Sequence, residues 1–274
     1  FRSPPGLLER TVESVVEAGG AALVLVVDNG GEATTRLGAD RGEGPALLER
    51  VEVMSTDNDG FGAAANIGIA RAIDDRHDAV VVLNDDVEVE SGWSEGLVSE
   101  LADPAIGAVQ PLLVSTAGDL VNSAGVEVDR YGAGSDRWRD QPVAAVDASS
   151  TEIDVFTGGA VLLRTAFVRD VGGFDERFFL YYEDVDLARR GSERGWRYRV
   201  VPAARAGHAR SASTASLGDR RRQLIERNRL WCVARHGTRR EVARAVGLSV
   251  RRLRHAPRRV PARALLAGLG GVPS

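Results

Sequence analysis

The chain has 274 residues, 43% hydrophobic and 27% charged, with a formal net charge of −4. This is globular composition, long enough for one large domain or a domain with an appendage. It excludes a membrane-spanning helix, since no apolar run approaches ~20 residues; no signal peptide is visible, and a lone cysteine, Cys232, leaves no disulfide framework or cysteine-based zinc site. The expected compartment is the cytoplasm. The charge is unevenly spread: between Asp219 and Arg263 stand 15 Arg against three acids, so the remainder carries about −16. Lysine is absent.

Ser3-Pro4-Pro5 followed by GLLERTVESVVEAGG predicts a helix opened by Ser or Pro and closed by a Gly pair. AALVLVVD (21–28) is a continuous apolar run, the mark of a strand covered on both faces, and it leads into a Gly-rich loop. RVEVMST (50–56) predicts a second strand, GAAANIGIARAIDDR (62–76) a helix and AVVVL (79–83) a third strand. SGWSEGLVSELAD (91–103) then predicts a helix and AIGAVQP (105–111) a fourth strand. This alternation predicts α/β architecture on a mainly parallel central sheet flanked by helices. Residues 120–155, rich in Gly, Ser and Asp, predict short strands and a long loop over a binding site. Residues 156–196 read as strand, short helix, turn and helix, and RYRVVP (197–202) as a last strand. From about Ser216 the pattern is helical and Arg-rich. In open α/β sheets a strand precedes the first helix. Only Phe1-Arg2-Ser3 stand there, so the expectation is either that this strand is lost from the chain as given or that the sheet lacks it.

Several stretches carry candidate chemistry. Asp28 ends the first apolar run; ligands bind beyond the carboxyl ends of such strands, although Asp-Asn-Gly is also turn chemistry. In DNDGFGAAANIGI, Gly60 and Gly62 at a helix start allow close approach of phosphate, but GxGxxG fails at Ala65. Asn66 points at a ligand or simply caps. VVVLNDDVEVE ends a buried strand in Asn84-Asp85-Asp86, either a Mg or Mn site or a solvated loop. On an extended chain the adjacent carboxylates diverge, so one of the two faces a metal. FLYYEDVDLARR sets Glu183, Asp184 and Asp186 at a helix start behind an aromatic run, where a carboxylate can serve as a general base or merely suit the helix dipole. His208 is a candidate ligand or a structural histidine.

Taken in order, VVDNG, NDGFGAAANIGI, LNDD, TGGAVLLR, GGFDERFFLYYEDVDL and GH resemble the family 2 inverting glycosyltransferases of GT-A fold, closest to bacterial rhamnosyltransferase-like members of cell-wall and surface polysaccharide synthesis. The resemblance covers about residues 5–231, the remainder from 216 forming an Arg-rich helical extension to a GT-A domain over 1–215. It implies a nucleotide-sugar donor (dTDP-rhamnose or a UDP-sugar), a divalent metal (Mg²⁺ or Mn²⁺) and a glycan or lipid-linked acceptor. By position it implies that Asp28 contacts the base or ribose and that Asn58, Gly60 and Asn66 lie along the nucleotide. Asp86 ends the DxD-like motif and binds metal with His208; Asn84 replaces the motif's first acid and Asp85 is its variable middle. Thr157, Gly158 and Gly159 border the donor sugar, Arg227 approaches the diphosphate with Asn228, and Asp184 is the catalytic base.

The competing readings are a nucleotidyltransferase making nucleotide sugars, disfavoured by the absence of an early Lys-bearing loop, and a non-catalytic nucleotide- or sugar-binding module. For the Arg-rich tail, with Leu248, Val250 and Leu253 between its charges, the alternatives are an anionic membrane surface, nucleic acid or a solvated face. Peripheral contact with the inner face of the membrane is the preferred expectation, and no nucleic acid is expected.

Overall fold

The computed structural model describes residues 6–21, 23–30, 50–209 and 217–255, with the isolated positions Pro4, Ala33, Leu37, Ala267 and Gly268. Helix α1 (Leu7–Ala18) leads to β1 (Val24–Asp28) and β2 (Val51–Ser55), and α2 (Phe61–Asp74) to β3 (Ala79–Leu83) and the short β4 (Val87–Val89). Next come α3 (Trp93–Ser99), β5 (Ile106–Val114), and the short strands β6 (Val121–Ser123), β7 (Val126–Val128), β8 (Gly134–Asp136) and β9 (Thr151–Ile153). β10 (Ala160–Arg164), α4 (Thr165–Val171), α5 (Glu183–Ser192) and β11 (Arg197–His208) precede the last two described helices, α6 (Gly218–His236) and α7 (Arg239–His255).

The main sheet has seven strands, with β3-β10-β5-β11-β4 in order and β6 and β9 attached to β5 and β11. β5 and β11 are parallel, whereas β10 runs antiparallel to both β3 and β5. The sheet is therefore mixed in its pairings. The parallel strands are those that the α/β alternation predicts; β10 enters from the loop-rich section without a helical crossover, so nothing forces it parallel. β5 and β11 both run beyond the prolines at which the sequence pattern ends them. Val201 pairs with Pro111, but Arg205 pairs with Leu112, so a bulge in β11 opposite the proline takes up the missing donor.

Side chains alternate across this sheet between two cores. Val161 and Leu163 of β10 join Phe156, Phe167, Tyr198 and Leu187 on one face, whereas Ala160 and Leu162 join Trp93, Leu97 and Ile106 on the other. All nine residues of β5 are buried, as a strand covered on both faces requires. α6 is part of this packing, because Trp231 and Cys232 lie in the first core.

β1 and β2 pair in parallel as a separate two-stranded sheet. A cavity of about 580 Å³ lies between β1 and β3.

Part of the arginine excess is internal. Arg229 is 1% exposed and donates to Glu226 (2.7 Å), to the Tyr131 carbonyl and to Ser249 Oγ (2.6 Å), tying α6 to α7. Arg235 of α6 pairs with Asp175 (3.0 Å) and Asp186 (2.6 Å). The predicted helical segment beyond His255 lies outside the described residues, apart from Ala267 and Gly268.

Candidate active site

The acids after β3 are positioned by strand pairing. β4 pairs antiparallel with the end of β11, Val87 opposite His208, which sets His208 beside Asp86. Nε2 of His208 stands 3.2 Å from Oδ1 of Asp86. Asp86 is 4% exposed, yet that oxygen receives no hydrogen bond. A buried carboxylate oxygen without a donor costs free energy unless a cation meets it. The carboxylate-imidazole pair is therefore a fitting donor set for a divalent ion that takes its other ligands from water and substrate phosphates. No cluster of three or more His, Cys, Asp or Glu occurs among the described residues. Asn122, buried, donates to the carbonyls of His208 (2.8 Å) and Val114 (2.9 Å) and fixes the end of β11.

The antiparallel pairing of β3 with β10 sets Thr157-Gly158-Gly159 against this group. Asn84 N donates to the Gly159 carbonyl (2.9 Å). Gly158 N donates to Oδ2 of Asp184 (3.0 Å). Two successive residues of one turn thus touch the acidic strand end and the head of α5. A Cβ at Gly158 would press on the Phe61 ring at 3.0 Å, so the turn fits without side chains. Thr157 N donates to Oε1 of Gln110, a fully buried glutamine on β5.

Asp184 is half-buried and held at both oxygens, by Gly158 N and by its neighbour Val185 N (2.8 Å). Burial raises its pKa against these donors. Burial, with the Asp184 charge added, pushes Glu183 up to about 8. Asp186 is different in kind. It is fully buried, and burial alone would raise its pKa, but His236, Arg190 and Arg235 outweigh that and bring it down to about 2. It anchors α6 rather than facing the site.

The aromatic run before Asp184 has an unusual backbone. Phe179, Tyr181 and Tyr182 all have positive φ, at 66°, 71° and 71°. Such strain persists only where surroundings over-determine it. Here Asn228 of α6, fully buried, donates to the carbonyls of Phe178, Leu180 and Tyr181 at 3.0, 2.9 and 2.6 Å. Arg227 donates to Phe178 O (2.8 Å) and lies over the Trp231 ring, engaged with this loop. From the other side Phe61 N donates to Phe179 O (2.8 Å). Gly60, at φ 101°, allows that approach, for a Cβ there would collide with the Phe179 carbonyl.

Asp28, Asn58, Gly60, Asn84 and Asp85 line one connected cavity. Asp28 already accepts from Gly30 N (2.8 Å) and Ala33 N (2.7 Å), the turn chemistry of its sequence. Asn66 does not line the cavity; its amide holds residues 174–176, donating to Phe174 O and Glu176 and accepting from Phe174 N, each at 2.9 Å. Gln110 and Asn122 escaped the sequence reading. Their signal was a polar residue inside an apolar strand, which burial makes expensive unless it is hydrogen-bonded.

A strand-end carboxylate beside a histidine, joined through a glycine turn to a second carboxylate at a helix start, suits group transfer from a phosphorylated donor. The chain belongs to glycosyltransferase family 2: residues 2–171 match the model of that family, Glycosyl transferase family 2. It is a glycosyltransferase, and the nucleotidyltransferase alternative falls away. Among its relatives is the N-acetylglucosaminyl-diphospho-decaprenol L-rhamnosyltransferase of Mycobacterium tuberculosis, 30% identical over 241 residues, covering 77% of this chain and 75% of the relative. The pre-mycofactocin glycosyltransferase of the same organism is 37% identical over 150 residues, 54% of this chain and 30% of that one. The fold is GT-A. GalNAc-T7, solved with UDP, GalNAc and Mn²⁺, superposes with a TM-score of 0.66 at 16% identity over 95% of this chain, which spans 51% of that chain. A Pyrobaculum calidifontis mannosyltransferase, solved with GDP-mannose and Mn²⁺, gives 0.58 at 16% identity, covering 97% of this chain and 76% of that one.

Proposed function

We propose that the chain is an inverting, divalent-metal-dependent glycosyltransferase of cell-wall or surface-polysaccharide synthesis. It moves rhamnose from dTDP-rhamnose, or a sugar from a UDP-sugar, to a hydroxyl of a glycan or lipid-linked acceptor. The observation that carries the reading is the Thr157–Gly159 turn, which holds Asp184 on one side and the Asn84–Asp86 strand end on the other. Asp86 and His208 would hold the metal, which when bound supplies positive charge to the leaving diphosphate. Asp184, oriented by two backbone donors, takes the proton of the acceptor hydroxyl. The acceptor oxygen bonds to the anomeric carbon as the bond from that carbon to phosphate oxygen breaks, and the nucleoside diphosphate leaves from the opposite face. Asp28 and Asn58, at the cavity's wall, serve the nucleoside, with Gly60 and Asn84 beside the phosphates and Thr157 to Gly159 beside the sugar.

The rhamnosyltransferase relative is named for a diphospho-decaprenol acceptor, which supports a lipid-linked acceptor for this chain. Arg239, Arg240, Arg244 and Arg251 are exposed on α7, which suits a peripheral contact with anionic lipid. A thermal-shift screen of dTDP-rhamnose and UDP-sugars with and without Mn²⁺ tests the donor site. One nucleotide sugar is expected to stabilise the protein only with metal; stabilisation unaffected by metal would contradict the reading.

A further inference from the structure

The first half of α6 carries arginines that no acid meets. Arg220 and Arg221 are exposed and Arg227 is half-buried, and none of them has a carboxylate partner among the described residues. Nearby Arg190, Arg229 and Arg235 are all paired with acids. Between Glu193 and Asp219 the sequence holds no Asp or Glu that could serve. The three side chains nevertheless converge on one loop. Arg220 stands 5.1 Å from the centre of the Phe179 ring and Arg221 5.7 Å from that of Tyr181, while Arg227 donates to Phe178 O. Arg220 and Arg227 lie about two helical turns apart and so share a face. Burial, and then the Arg220 charge, lower the pKa of Arg227, as like charges held together must. A guanidinium laid on an aromatic face keeps its outer N–H edge for a second partner, and phosphate oxygens match that fork.

The loop separates these arginines from the cavity that Asp28 and Asn84 line. Leu180 lines that cavity, whereas Phe179 and Tyr181 on either side of it, and the three arginines, do not. The same loop runs into Glu183 and Asp184 at the start of α5. A donor diphosphate would meet the cation held by Asp86 and His208; a second diphosphate, carried by the acceptor, needs positive charge elsewhere. We propose that Arg220 and Arg221, with Arg227 behind them, bind the diphosphate of a lipid-linked acceptor and so present its sugar hydroxyl to Asp184; this rests on the acceptor proposed above. In an acceptor with a single sugar on its diphosphate, fixing the phosphates fixes the attacked hydroxyl one ring away.

The test titrates farnesyl diphosphate into the protein, with and without UDP and Mn²⁺, and uses farnesol as the uncharged control. Wild type is compared with the double variant Arg220→Gln, Arg221→Gln and with Arg222→Gln, whose arginine lies beside Asp219 instead. The expected result is binding of farnesyl diphosphate at least tenfold weaker in the double variant, near wild type in Arg222→Gln, and no such difference for farnesol. Equal binding by the double variant, an equal loss in Arg222→Gln, or no binding by the wild type in either condition would overturn the proposal. Titration of dTDP and UDP with Mn²⁺ separates the two sources of diphosphate. Nucleotide affinity is expected to be unchanged in the double variant; its loss there would make the donor the occupant and overturn the acceptor site. None of these titrations needs turnover, so a protein that transferred no sugar would overturn the catalytic reading and leave the binding result standing.

Discussion

At the scale of single residues, neighbouring carboxylates differ in their surroundings, and the roles proposed for them differ accordingly. Asp86 is buried with an oxygen that no donor meets, whereas Asp85 lines the cavity wall. Asp86→Ala is expected to abolish metal-dependent donor binding, seen as loss of the ~3 kcal/mol that a ligand at a hundredfold its Kd gives; Asp85→Ala should retain most of it. The pair Glu183 and Asp186 gives opposite pH responses. Glu183 rises from 4.5 to about 8 in the fold, so the native state holds its proton more tightly, and stability is full below pH 4.5 and falls as pH rises toward 8. Glu183→Gln should reduce that slope in a plot of melting temperature against pH, with Asp184, also raised by burial, supplying the remainder. Asp186, lowered to about 2 from 3.8, stabilises above pH 3.8 and loses that contribution as pH falls through 2.

At the scale of elements, the site depends on a strained loop and the helix that clamps it. Asn228→Ala leaves the carbonyls of Leu180 and Tyr181 without that donor. The expected cost is about 3 kcal/mol, roughly 6–12 °C in Tm, with turnover falling further than nucleotide affinity because Asp184 follows the released loop. Circular-dichroism melts and steady-state kinetics would check both parts. The same elements show what local sequence carries. The acids after β3 and at the head of α5 were legible because an apolar run or an aromatic run stops at them. That Gly159 lies against Asn84 was not legible, since antiparallel pairing between segments so far apart in the chain leaves no periodic trace. Asn66 and Arg227 look like ligand contacts in a linear motif. In space Asn66 bonds the Phe174 backbone and the Glu176 carboxylate, and Arg227 bonds Phe178 O and the Asn228 side chain. The prolines Pro111 and Pro202 shortened two predicted strands because a compensating bulge cannot be read from either strand alone.

At the scale of the whole molecule, the helix–strand alternation announced the α/β layers, whereas the separate pairing of β1 with β2 left no mark in it. The charge division is only partly a surface property, since Arg229 and Arg235 are spent on internal ion pairs. Arg239, Arg240, Arg244 and Arg251, exposed on α7, should sediment the protein with anionic but not neutral liposomes, and replacing them by Gln should reduce pelleting several-fold. The central claim joins the two halves of the site in one reaction, and transfer from dTDP-rhamnose and UDP-sugars to a polyprenyl-diphosphate-linked sugar with Mn²⁺, comparing the wild type with Asp184→Asn, tests it most directly. The account predicts an anomerically inverted product from the wild type and a rate ~10²–10⁴-fold lower in Asp184→Asn with donor binding intact. Unchanged turnover in that variant, or a product of retained configuration, would contradict it.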